Sequence, residues 1–234
     1  MSLEAAISVL KRAVELDEGK SYSEALVCYQ EGIGLLLQVV KSTTNEITKT
    51  RYKEQLNSYF ERAENLKRTV KEQKEAGKYH EQIQIKDGSK GYSYSKIFGR
   101  YLDENVEEVT IEDPYIRGIH QIYNFLRLCE LFVLHGSVRR INLITGLDDD
   151  PSTQQQRLKE LTSDLKRHNI DLQVDYSHTL HDREIRFSNG WVIKIGRGLD
   201  FYKKPRGKFS IGYCNYNLRE CHETTIDIFL KRKQ

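Results

Sequence analysis

The sequence predicts two units of different class, an all-α antiparallel three-helix bundle followed by an α/β (α+β) sheet domain, and three observations carry this reading. Apolar residues recur at three- and four-residue steps from Leu3 to Val70. From Lys71 to Lys90 that pattern dissolves into Lys, Glu, Gln and Gly. Beyond Gly91 short β-type runs alternate with helical stripes. A chain of 234 residues has room for two such units and for a hydrophobic core that needs no disulfide staples.

In the first unit, Leu3, Ala6, Ile7, Leu10, Ala13 and Val14 form one amphipathic stripe, and Gly19 ends it. Ser21 followed by Glu24 reads as a capping box that opens a second helix with the stripe Ala25, Leu26, Tyr29, Ile33, Leu36, Leu37 and Val40. Val27, Leu35 and Val39 make its other side apolar too, so this helix is expected to pack on two neighbours. After the polar stretch Ser42 to Asn45, a third helix carries Tyr52, Leu56, Tyr59, Phe60, Ala63, Leu66 and Val70. Short connections make the three antiparallel. The expected boundaries are a bundle over 1–76, a linker over 77–90 that holds the isolated pair Ile83 and Ile85, and a sheet domain over 91–234.

In the second unit the expected order is a strand at Val106 to Ile111, a helix at Ile116 to Leu134 and a strand at Arg140 to Thr145. A helix over Gln154 to His168, capped by Ser152 or Thr153, leads to a strand at Leu172 to Tyr176. Glu184 to Phe187 and Trp191 to Ile195 flank Ser188-Asn189-Gly190 as a hairpin. Tyr213 to Leu218 and Thr225 to Phe229 are candidate edge strands.

Composition narrows the chemistry. A net charge of only +3 argues against a dedicated nucleic-acid binder. Met1 to Leu10 has neither a basic n-region nor an apolar h-region, and no run of apolar residues would span a bilayer. Cys28, Cys129, Cys214 and Cys221 form no CxxC pair, so a cytosolic chain with free thiols is expected. Charge is uneven in the second half: between His181 and Ser210 eight basic residues face three acids, a local balance of +5, while six acids lie between Asp103 and Asp113.

Two segments carry a family resemblance. Tyr22-Ser-Glu-Ala-Leu-Val-Cys-Tyr-Gln-Glu-Gly-Ile33, with Tyr59-Phe-Glu-Arg-Ala-Glu-Asn-Leu-Lys67, resembles the MIT (microtubule-interacting and trafficking) domain. His181-Asp-Arg-Glu-Ile-Arg-Phe-Ser-Asn-Gly-Trp-Val-Ile-Lys-Ile-Gly-Arg-Gly-Leu-Asp200, with Tyr213-Cys214 and Cys221-His-Glu-Thr-Thr225, resembles the phospholipase-D-like domain found C-terminal to an MIT domain. The resemblance implies a protein that binds the C-terminal helices of ESCRT-III subunits and acts in abscission at the end of cytokinesis. It also implies a C-terminal domain that dimerises and binds lipid, and a peripheral location on late endosome membrane and at the midbody.

Three constellations follow. The first is a groove between the second and third helices for a partner helix, walled by Leu36, Val39 and Val40 on one side and Leu56, Phe60 and Ala63 on the other, with Glu64 and Lys67 at its rim. The second is a degraded catalytic motif. Phospholipase-D chemistry uses His-x-Lys-x4-Asp, whereas this chain has His181-x-Arg183 with Ser188 where the Asp belongs, and no second His-x-Lys. A non-enzyme is expected, with a phosphodiesterase using His181 as the alternative. The third is a lipid-binding stretch in which Arg183, Arg186, Lys194, Arg197, Lys203, Lys204, Arg206 and Lys208 interleave with Trp191, Phe201, Tyr202 and Phe209. His222 near Cys214 and Cys221 fits no standard zinc spacing, and Gly196-x-Gly198 opens no helix, so neither metal nor cofactor is expected.

Overall fold

Three helices fill the first unit: α1 (Leu3–Glu18), α2 (Tyr22–Ser42) and α3 (Glu46–Glu75). The computed structural model describes residues 3–77 and 79–231, which fall into two units dividing between Glu81 and Gln82. α2 is the middle helix and packs on both neighbours, as its two apolar sides require. Its Tyr29, Ile33 and Leu36 share a core with Leu10 and Ala13 of α1 and with Leu56, Ala63 and Leu66 of α3. Gly32 permits this contact, because a Cβ there would come within 2.7 Å of the Leu10 side chain.

The chain turns from α1 to α2 through Lys20 in the left-handed region at φ 60. Ser21 precedes α2, but its hydroxyl makes no capping hydrogen bond, so the expected capping box is absent. Asn45 does cap α3, accepting from the Thr48 amide at 3.0 Å.

One carboxylate joins all three helices. Asp17 of α1 is buried and accepts two hydrogen bonds of 2.6 Å from the Arg62 guanidinium of α3. The Tyr29 hydroxyl of α2 donates to the same Asp17 Oδ2 at 3.2 Å. Burial, then the neighbouring Asp17 charge, pushes the Tyr29 phenol up to about 12, which keeps it a donor at every physiological pH.

The second unit holds a seven-stranded sheet. Its strands are β1 (His80–Ile85), β2 (Glu108–Glu112), β3 (Arg140–Thr145), β4 (Asp171–Tyr176), β5 (Glu184–Phe187), β6 (Trp191–Ile195) and β7 (Thr224–Leu230). The spatial order is β1-β7-β6-β5-β2-β3-β4. β2, β3 and β4 run parallel, while β5, β6 and β7 continue the sheet in antiparallel pairings. α4 (Tyr94–Phe98) follows β1, and the crossovers are α5 (Ile119–His135) and α6 (Pro151–Arg167).

Parallel neighbours need helical crossovers of one hand, which puts α5 and α6 on the same face. They touch there, and the Phe132 and Phe187 rings meet edge to face at 6.4 Å to seat α5 on the sheet. Phe98, Phe125, Phe132 and Phe201 are fully buried.

Three expectations are corrected. The linker expected over 77–90 contains β1, where Ile83 and the fully buried Ile85 are the inward positions of a period-two edge strand. The edge strand expected over 213–218 is a loop ending in a single 3₁₀ turn, Tyr216–Leu218. α6 begins at Pro151 with Asp150 as its cap, one turn of chemistry earlier than Ser152 or Thr153.

The Asp17 node gives the first prediction. Asp17→Ala leaves Arg62 and Tyr29 without their acceptor and is expected to cost the helical unit about 2 kcal/mol. Urea unfolding followed by ellipticity at the helical minimum should shift to lower denaturant. Fluorescence of Trp191, the sole tryptophan, should keep its midpoint because it reports only on the sheet.

Candidate functional site

The groove proposed in the helical unit is only partly available. Leu36, Val40, Leu56 and Ala63 are buried and form the bundle's own core, so they are removed from the partner-facing set. Helical spacing identifies an apolar stripe without saying which neighbour covers it. Phe60 remains 47% exposed, because adjacent Tyr59 takes the inward position and packs its ring 6.0 Å from Tyr29. Val39 is half-buried. Glu64 and Lys67 are exposed and pair with each other at 3.9 Å, a bond weak enough in water for an incoming charge to replace.

The basic stretch divides into two sets. The hairpin cations are neutralised within the sheet. Glu184, buried on β5, takes Lys194 from β6 at 3.3 Å and also the Arg186 guanidinium, which bonds Glu112 of β2 at 2.8 Å. Arg183 donates to the Gly196 carbonyl at 2.7 Å and stacks over Tyr115 at 4.3 Å. These three are structural rather than free to meet a lipid, which corrects their place in the lipid-binding set. Trp191, Phe201 and Tyr202 are likewise buried.

The second set gathers around a loop, residues 203–213, between the end of the hairpin and the 3₁₀ turn. Lys203 holds Asp87 at 2.5 Å, and that hydrogen bond keeps the Asp87 carboxyl below its usual range. Arg206 reaches Glu220 only at 3.9 Å and is almost wholly exposed. Among the described residues Arg197, Lys204 and Lys208 have no carboxylate partner.

Two arginines outside the stretch complete this surface. Arg219 is buried, and its guanidinium donates to the carbonyls of Gly212, Tyr213 and Lys203, so one cation ties both ends of the loop together. The Tyr216 ring lies between Arg219, 4.4 Å from its centroid, and Arg127 of α5 at 3.8 Å. Tyr202 meets Tyr216 edge to face at 4.5 Å. Arg127 Nε is buried without a hydrogen-bond partner among the described residues. A cavity of about 830 Å³ opens at this place, lined by Arg127, Arg197, Lys203, Lys204, Arg219, His120 and His222 with Asp200 as its carboxylate. Asp200 is itself engaged by Asn124 at 3.0 Å and His120 at 3.2 Å.

Neither arginine was legible as part of the site. Arg127 lies in a helix far back in the sequence, and Arg219 follows directly on the segment expected to be an edge strand, Tyr213 to Leu218. The only available signal was the cluster of Tyr213, Tyr216 and Arg219 after a basic loop.

His181 is exposed. The Ser188 hydroxyl accepts from the amides of Glu107 at 3.1 Å and Glu108 at 3.3 Å, a loop-fastening role. The nearby buried acid, Asp113, is pushed up by burial and accepts one amide on each oxygen, from Tyr115 and Leu199, both at 3.0 Å. Gly198, at φ +62, is needed beside it because any Cβ would overlap the Asp113 carboxylate. Cys129 and Cys221 are buried, and burial raises both thiols, Cys221 to about 11, so they are poor nucleophiles at neutral pH. Among the described residues no three His, Cys, Asp or Glu side chains gather as a metal site.

Comparison with known proteins now bears on this geometry. Residues 3–68 match the MIT (microtubule interacting and transport) domain, and residues 91–230 match the phospholipase D-like domain at the C-terminus of MIT. Mouse MIT domain-containing protein 1 is 53% identical over 228 residues, covering 96% of this chain and 92% of that protein. The chain belongs to the MIT domain-containing protein 1 family. Its sheet unit is therefore the phospholipase-D-like domain of that family, and its helical unit the MIT domain. A phospholipase D family member, Nuc from Salmonella typhimurium, is similar at a TM-score of 0.37 and 10% identity over 65% of this chain and 84% of that one.

The clamp on the loop is testable. Arg219→Met should loosen residues 203–213, because three carbonyl acceptors and one face of Tyr216 lose their cation. A loss of about 2 kcal/mol in local stability corresponds to roughly thirtyfold in opening. Limited trypsin digestion should cut after Arg206 and Lys208 at least tenfold faster than in wild type, while the thermal midpoint of Trp191 fluorescence moves by only a few degrees.

Proposed function

We propose that this chain is a non-enzymatic adaptor. Its MIT unit grips short C-terminal helices of ESCRT-III subunits, and its phospholipase-D-like unit dimerises and adheres to anionic membrane lipid, in abscission at the end of cytokinesis. Peripheral attachment to late endosome membrane and presence at the midbody belong to the same proposal. The observation that carries the membrane half is the concentration of cations without carboxylate partners among the described residues, Arg127, Arg197, Lys204 and Lys208, around one loop and its cavity. Each Lys or Arg near an anionic leaflet contributes on the order of 1 kcal/mol, which gives reversible, salt-sensitive adhesion.

Support for the helix-binding half is narrower. Membership in a family with an MIT domain suggests a helical ligand, and exposed Phe60 offers an apolar anchor on α3 beside a replaceable Glu64–Lys67 pair. The absence of enzymatic activity is argued from the residues themselves. Arg183 is committed to Gly196 and Tyr115, and Ser188 occupies the position of the motif's carboxylate and fastens two amides.

Three outcomes are expected. Phe60→Asp should abolish saturable binding of a labelled ESCRT-III C-terminal peptide, measured by fluorescence anisotropy on the full chain, with helical ellipticity unchanged. Unchanged affinity would reject Phe60 as the anchor. Replacing Lys204 and Lys208 by Gln should weaken co-sedimentation with phosphatidylserine vesicles by roughly thirtyfold at low salt, from about 2 kcal/mol of lost attraction. Wild type and His181→Ala should give the same background rate on a fluorogenic phosphodiester, and any excess in wild type would restore the enzymatic alternative.

A further inference from the structure

We infer that the tip of the 203–213 loop is a bilayer-penetrating wedge, in which Phe209 and Ile211 enter the acyl boundary of an anionic membrane while the surrounding cations hold its surface. This inference rests on the membrane reading above and adds a mode of attachment to it.

Three observations bring it about. Phe209 is 103% exposed and Ile211 86%, so two large apolar side chains two positions apart have no cover from their own unit. Their loop is not loose chain. Arg219 ties its base, and within the tip the Ser210 amide and hydroxyl donate to the Gly207 carbonyl at 3.2 and 2.7 Å, with Tyr213 N bonding Ser210 O at 3.1 Å. Gly212, at φ +87, lies where a Cβ would come within 2.8 Å of the Leu218 carbonyl, so the return strand of the loop is packed tightly. An ordered loop that presents Phe and Ile to water forgoes burial that a floppy one could obtain by folding back.

The charges identify the occupant. Lys204, Arg206 and Lys208 lead directly into the two apolar residues, and neither Lys204 nor Lys208 has a carboxylate partner among the described residues. A protein cavity that accepted Phe209 would need to bury or pair these flanking cations one by one. A lipid surface meets both demands at once, with anionic headgroups at the level of the cations and acyl chains below, and long Lys and Arg stems reach back to the interface. The apolar tip supplies a component of binding that salt does not screen.

The test uses the full chain and vesicles of phosphatidylcholine with phosphatidylserine. In Phe209→Trp the introduced indole should be quenched when the acyl chains are brominated near the headgroup, with a blue-shifted emission. Wild type, whose Trp191 is buried in the sheet, supplies the reference trace. Phe209→Ser combined with Ile211→Ser should lower the vesicle partition by roughly tenfold or more and make the remainder fully salt-sensitive. Leu134→Ser, which removes an equally exposed apolar residue at the end of α5, should change nothing. Both tip substitutions are at exposed positions, so an unaltered thermal midpoint checks the fold. If wild type binds these vesicles while the introduced indole is not quenched and the double serine variant binds equally well, the wedge is overturned and adhesion is purely electrostatic. If wild type does not bind at any salt concentration, the membrane reading itself falls and the wedge with it.

Discussion

Arg219 is a buried cation whose donors go to main-chain carbonyls at both ends of one loop, and the candidate surface of the second unit depends on that arrangement. A guanidinium removed from water needs partners for its donors and for its charge. Here three carbonyl dipoles and the Tyr216 face provide them, and Tyr216 passes the constraint to Arg127 and Tyr202. Loop closure, cavity and cation cluster are therefore one structure. The residues between Lys203 and Tyr213 project outward because their ends are fixed together, and the cations of the tip lie near those of the cavity for the same reason.

The helical unit solves a comparable problem with the opposite sign. Asp17 is a buried anion, and its oxygens are satisfied by Arg62 and Tyr29 from two other helices. Since Arg62 is half exposed, the pair is not a fully desolvated ion pair, and its value lies as much in fixing the relative rotation of α1, α2 and α3 as in stabilisation. That rotation decides which residues of each stripe face inward. Tyr59 is turned toward Tyr29, and Phe60 is left outside.

Periodicity made most of the fold legible: three helices with α2 in the middle, the parallel β2-β3-β4 crossovers and the β5–β6 hairpin all follow local patterns. What it missed was non-local. β1 was hidden because an edge strand needs only alternate apolar positions, and a polar context made Ile83 and Ile85 look accidental. Leu36 and Ala63 could be read as groove or as core, since spacing does not reveal which neighbour covers a stripe. In the basic stretch, alternation marks the turn cations Lys203, Lys204 and Arg206 as the better exposed but does not say what Arg186 and Lys194 pair with. Their neutralisation by Glu184 and Glu112 required knowing that β5 lies between β6 and β2. Phe201 and Phe209 are indistinguishable in composition, yet one is fully buried and the other fully exposed.

That last contrast bears on how weak sites could add up in the proposed adaptor. A single exposed aromatic on α3 and a short basic loop are each small surfaces, and neither would hold a ligand tightly alone. Joining them in one chain makes the second engagement intramolecular, with an effective concentration set by the segment between the units. That segment is shorter than composition suggested, because β1 takes residues 80–85 into the sheet. A short tether raises effective concentration only for ligands whose spacing suits it and gives little to others.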